Sequence, residues 1–152
     1  MFILDAIGLL ASLLLAAAVL LIAQELARGR LQRRLQMTIE ALDRQKEFDP
    51  ELERVKAVSR AGELRIDVTS EDELFVAFRY LNGVELLCLG IHKGFYDEAV
   101  AYDYVAGSLI QNFRIFQPLI GDLRERSSNP RVYLHLEAVA RRWEERRRRE
   151  MP

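Results

Sequence analysis

Residues 6–23 read AIGLLASLLLAAAVLLIA, an unbroken run of uncharged, mostly apolar residues, and ARGRLQRRL follows at 27–35. A helix rises about 1.5 Å per residue and the hydrocarbon layer is about 30 Å thick, so roughly 20 residues cross it. A helix begun at Phe2 supplies that length. A cleaved signal peptide reads differently, with a basic start, an apolar core of about 7–15 residues and a small-residue cleavage site. Here Asp5 is the one charged side chain before the run, and the run ends in Leu21-Ile22-Ala23-Gln24-Glu25 rather than an A-x-A site. The stretch predicts an uncleaved anchor in the lipid bilayer. A buried core helix is the other reading that its length permits.

The flanks orient the anchor. Arg28, Arg30, Arg33 and Arg34 lie in the short window where positive charge holds a flank on the cytoplasmic side. The expectation is a single-pass protein of the inner (cytoplasmic) membrane, N-terminus outside and C-terminal domain cytoplasmic. The lone Cys88 has no intramolecular disulfide partner and fits a reducing compartment. Its setting, VELLCLGI at 84–91, marks it as a small core residue rather than a nucleophile.

Two features point to pairing of identical chains. Gly8, Ser12 and Ala16 recur every four residues and put small side chains on one face of the anchor, where two backbones can approach. Beyond the anchor, Leu31, Leu35, Thr38 and Leu42 follow a 4-3-4 spacing, one seam on a helix. Two heptads are too few for a coiled coil. The helix either continues the membrane span or packs on a partner.

The 152 residues allow one modest domain beside the anchor. The division read from the sequence is 1–24 anchor, 25–48 juxtamembrane helix and 49–152 cytoplasmic helical domain. Net charge is −1, unevenly spread, with a mildly basic linker, an acidic middle and a basic tail from Asn129. Asp49-Pro50 pairs an N-cap with a proline suited to the first helical position. A short helix to about Arg60 then turns Leu52, Val55 and Val58 inward, and Ala61-Gly62 ends it. Alternation in ELRIDVT, 63–69, permits a strand, but no partner strand is found, so it reads as an extended connector.

Ser70-Glu71-Asp72-Glu73 fits a capping box with an acidic first turn. Its helix is expected to run to about Leu89 and stop at Gly90. Phe75, Phe78, Asn82, Glu85 and Leu89 share one face, and Leu74, Leu81, Val84 and Cys88 form an apolar stripe beside it. A helix apolar over most of its circumference belongs at the centre. Asp97 can cap the next helix, Glu98 to about Arg126, which Pro118 should kink or split near Phe116. Asn129-Pro130 repeats the cap-plus-proline signal for a last helix from Pro130 to about Arg148, with Tyr133, Leu136, Ala140 and Trp143 inward. The fold class is all-α, an N-terminal transmembrane helix continuing into a small cytoplasmic helical bundle.

Leu81-Asn82-Gly83-Val84-Glu85-Leu86-Leu87, Gly90-Ile91 and Gly94-x-x-Asp97-Glu98 resemble a group of small bacterial and phage membrane proteins catalogued as domain of unknown function 4760. Pro118-Leu119-Ile120, Arg124 and Asn129-Pro130-x-x-Tyr133-x-x-x-Glu137 continue the resemblance, which covers about residues 65–145. It implies an all-helical cytoplasmic domain on one anchor, and it supplies no activity, ligand or catalytic residue.

Asn82 and Glu85 are the polar pair of most interest, since a buried carboxylate is costly unless paired. Arg79, Arg114 and Arg124 are its expected partners. The node Asn82, Glu85, Arg114 and Arg124 reads either as a polar ligand pocket or, more simply, as a structural knot that fixes helix register. His92 and His135 form no H-E-x-x-H, no cysteine pair exists for zinc, and no G-x-S-x-G, Walker loop or G-x-G-x-x-G occurs. Neither a cofactor nor catalysis is indicated. Arg146, Arg147, Arg148 and Arg149 are either a solvated helix end favoured by the macrodipole or a face for anionic lipid. The interleaved Glu144 and Glu145 argue against nucleic acid. The expected work is recruitment or sensing of an unknown protein partner at the membrane, as a homo-oligomer in one version. The alternative is a tethered domain that binds a ligand or nucleic acid.

Overall fold

The computed structural model describes the backbone of residues 2–46, 49–60, 66 and 69–151, and within these the side chains of 15–44, 51–60, 66 and 69–151. Five helices and no strand are found among the described residues: α1 (Phe2–Lys46), α2 (Asp49–Arg60), α3 (Glu71–His92), α4 (Glu98–Ser127) and α5 (Leu134–Glu150). Two compact units arise, Met1–Gln36 and Met37–Pro152.

In the first unit the apolar run and the arginines after it belong to one helix. Leu15, Val19, Leu20, Leu21 and Ile22 are 59–70% exposed. Ala16 is exposed as well, while the side chains of Gly8 and Ser12 lie outside the described residues. Leu31 is exposed and Leu35 half-buried.

The second unit begins with the last turns of α1. Thr38 and Leu42 are buried here, Leu42 in the hydrophobic core, so the lower half of the 4-3-4 seam packs into the chain's own bundle. The Thr38 hydroxyl accepts from the Asp97 backbone N–H at 2.8 Å. This ties α1 to the residue that caps α4. The helix α2 packs on α3 and α4, and α5 on the same two. The core holds Phe116, Trp143, Leu81, Leu119 and Leu136, all essentially without exposure. As expected, Leu52 and Val55 face inward, with Val58 partly covered. The side chains of Asp49 and Pro50 lie outside the described residues, as does most of 63–69, of which Ile66 packs against the core.

The helix α3 is long and apolar enough to cross a membrane, alone in this among the described residues, but it packs on α2 and α5 as the central helix of the bundle. Its start carries the expected Ser70 cap, with Glu73 reaching back to the Ser70 hydroxyl. Ser70 Oγ accepts from the Glu73 N–H at 3.4 Å and donates to the Glu73 carboxylate at 2.9 Å. Its end differs from expectation, because α3 runs through Gly90 to His92. Gly90 is a packing glycine rather than a stop. A Cβ there would meet the Tyr96 ring at 2.2 Å, and the reversal falls to Gly94 with φ +72°.

Asp97 caps α4 as expected, accepting from Ala99 and Val100 N–H at 3.1 and 3.2 Å. The helix is not split at Pro118. The proline sits on the exposed side. The Arg114 carbonyl loses its helical donor there, and Ser59 Oγ donates to the next carbonyl, Ile115, at 2.7 Å. The last helix starts at Leu134, not Pro130. The Asn129 side chain accepts from Arg131 N–H at 3.0 Å, and Tyr133 takes a left-handed conformation at φ 54°, so the first residues make a turn.

Candidate functional site

Tyr133 offers α5 no side-chain cap. The cap comes from α3 instead. Glu85 Oε2 accepts from the Leu136 N–H at 2.7 Å, and Oε1 accepts from the His135 N–H at 3.2 Å. The same Oε1 lies 2.8 Å from His135 Nδ1. A carboxylate facing the first N–H groups of a helix satisfies orphan donors and complements the dipole. Glu85 therefore does not pair with Arg79, Arg114 or Arg124 as its sequence setting suggested. Its partners are backbone and a histidine that only the tertiary fold brings near.

The neighbours belong to the same joint. Asn82, one turn earlier on α3, accepts from the Tyr133 hydroxyl at 3.0 Å, although it is exposed rather than partly buried. Burial, with the Glu85 charge adding to it, raises the Tyr133 hydroxyl above its ordinary pKa. Arg124 on α4 donates to the Val132 carbonyl at 3.0 and 2.8 Å and pairs with Glu137 at 2.8 Å. Glu137 also pairs with Arg141 at 2.7 Å. Burial pulls the Glu137 carboxyl up, but the two arginines outweigh it and hold it below the usual range. Three of the four node residues thus converge on the α4–α5 turn. Arg114 is elsewhere, pairing with Glu144. Arg79 pairs with Glu51 at 2.9 Å and lies over the Phe75 ring. The His92 and His135 rings are 5.4 Å apart beside the joint. Asn82, Glu85, Arg114 and Arg124 each have a partner within the fold.

The arginine tail is knit to the bundle. Arg146 lies 3.8 Å above the Tyr102 ring and pairs with Glu150 at 2.7 Å, and the Tyr102 hydroxyl donates to Glu150 at 2.6 Å. These two donors hold the Glu150 carboxyl below its ordinary pKa. Arg148 pairs with Glu144 at 3.3 Å. Arg149 donates to the Glu145 carbonyl at 3.4 Å. Arg147 lies beside Gly107. Glu98 at the start of α4 receives Arg142 at 2.7 Å and the Trp143 indole N–H at 2.8 Å.

Sequence reasoning passed over a second place. A cavity of about 290 Å³ opens between the end of α1, α2, α3 and α4. Leu52, Val84 and Leu109 stand in its wall with Lys56 and Asn112. Lys56 is 8% exposed and pairs with Glu53 at 2.7 Å. Asn112 is buried and donates to the Tyr80 hydroxyl at 2.6 Å. The signal for both was present. Lys56 follows the inward Leu52 by four residues and Asn112 follows Leu109 by three, so each sits on a buried face. Cys88 is fully buried, and burial pushes its thiol up out of the reactive range.

The sequence model of a family described as "Domain of unknown function (DUF4760)" matches residues 6–143, and the chain belongs to this family. No curated protein and no solved structure matches the chain.

Proposed function

We propose that this member of the family is a single-span protein of the inner membrane, N-terminus outside, whose cytoplasmic bundle recruits or senses a partner at the membrane surface without catalysis. One observation carries the reading. The helix α1 exposes Leu15, Val19, Leu20, Leu21 and Ile22, and the same helix reaches the buried Thr38 and Leu42 of the bundle. A long helix segment that is apolar all round and exposes its large side chains finds its solvent in hydrocarbon. The arginines behind the run support the orientation. An exposed face on α3 supports the partner. Phe75 and Leu86 are each 63% exposed and share it with Arg79 and Asn82 at 4-3-4 spacing.

The test has two arms. A C-terminal reporter that fluoresces only in the cytoplasm should light up, and alkaline extraction should leave the chain in the membrane fraction. Release into the soluble fraction removes the anchor from the proposal. Proteins cross-linked to the wild-type chain in native membranes should be lost from a Leu86→Glu chain that still inserts and folds. An unchanged set removes this face as the partner surface. A ligand-binding role is the second reading, and the cavity beside Lys56 is what favours it.

A further inference from the structure

We propose that the cavity between α2, α3 and α4 is a binding site for a small amphipathic monocarboxylate, with its head at Lys56 and Asn112 and its hydrocarbon body between Leu52, Val84 and Leu109. A space of about 290 Å³ lies at the small end of the ~300–1,000 Å³ usual for ligand pockets. At the ~30 Å³ that one water occupies in the liquid, it holds about ten non-hydrogen atoms, the size of octanoate.

The lining sets the chemistry of the head. Among the described residues Lys56 is the one charged side chain in the wall, so the site favours a single negative charge. Its ammonium has three donors, and Glu53 accepts one of them from a position where its own side chain is 60% exposed. The Asn112 amide uses one N–H on Tyr80 and carries a second. Among the described residues no arginine fork lines the cavity, and forks are what usually recognise phosphate in two-pronged fashion. One ammonium and one amide beside an apolar wall match a carboxylate on a short hydrocarbon. The wall is mostly hydrophobic with few polar groups, the ordinary design of a small-molecule site.

The experiment uses the full chain in lipid nanodiscs and three photoreactive probes that share a mid-chain diazirine on an eight-carbon body, ending in a carboxylate, an alcohol or an amine. Irradiation and peptide mapping should place the carboxylate probe on residues 51–60 and 104–112. That labelling should exceed the alcohol and amine probes at least tenfold and disappear under excess octanoate. Lys56→Met should lower it about tenfold, and Lys56→Arg should keep most of it. Should Lys56→Met fail to fold, Ser108→Phe is the second variant. Ser108 lines the mouth from an exposed position, so the larger ring blocks entry without entering the core. Equal labelling by the alcohol probe, labelling confined to the apolar run 6–23, or full labelling of the folded Lys56→Met or Ser108→Phe chain would overturn the proposal.

Discussion

Glu85 stands on α3 but serves the backbone of α5. Its partners are N–H groups rather than a buried cation, and its side chain keeps 22% exposure. Removal therefore costs less than the ~3–5 kcal/mol of a broken buried ion pair. Glu85→Ala should destabilise the chain by about 2–3 kcal/mol, the scale of a lost charged hydrogen bond plus a lost cap. Glu85→Gln keeps an acceptor and should cost about half. Denaturation of the full chain in mild detergent, followed by the single tryptophan, Trp143 in the core, measures both. A pair of glycines gives opposite signs. Gly90→Ala drives a methyl into the Tyr96 ring and should cost about 1–3 kcal/mol, whereas Gly121→Ala meets open space and should gain up to about 1 kcal/mol. At this scale the sequence marked Glu85 as important and could not say for what. The residues that bond it are 50 and 51 positions away. Lys56 and Asn112 were legible by spacing alone, but a single polar residue on an apolar face looks the same whether it lines a cavity or is packed shut.

Elements whose ends are written locally were read correctly. The Ser70 and Asp97 caps act within three residues of themselves, so the residue pattern contains the whole interaction. The two ends that differ depend on groups outside the helix they bound. Gly90 is small for the sake of Tyr96, and α5 waits for Glu85 before it begins. Its carboxylates also set a pH dependence. Glu53, Glu137, Glu144 and Glu150 all lie below their ordinary pKa in the fold. A depressed carboxyl contributes stability above its unfolded pKa, near ~4.3, and that stability is lost as pH falls through the folded value. Tyr102, bonded to Glu150, and the buried Tyr133 are raised, so stability falls again as pH rises beyond ~10 and unfolded tyrosine ionises. Melting temperature should be level from about pH 5 to 9 and drop on both sides. Glu137→Gln should make the acid drop shallower, and a drop already complete at pH 6 would contradict this assignment.

For the whole molecule, the helical class was legible because apolar periodicity reports which faces need cover, and five helices follow from it. The sequence breaks at Asp49-Pro50, yet the compact unit begins at Met37, because Thr38 and Leu42 are core residues on the far side of that break. Of the two pairing features in the sequence, the anchor face and Leu31 and Leu35 then remain outside the bundle core. Gly8→Ile should lower cross-linking between chains in mild detergent by steric exclusion while Trp143 fluorescence keeps its folded value. A wild-type chain that stays monomeric across detergent dilutions would remove the premise.

The hydrogen bond from Asp97 to Thr38 has one more consequence, for proteolysis. A protease that nicks the exposed stretch 25–34 would shed a bundle that retains Thr38, Leu42 and a closed core. One that cuts further on, beside Asp49, would strip Leu42 from the cavity wall and leave the start of α4 without its hydroxyl partner. The first product should circulate as a stable soluble fragment, and the second should be degraded. The same backbone thus carries two cleavage windows with opposite fates, one releasing a folded bundle and the other destroying it.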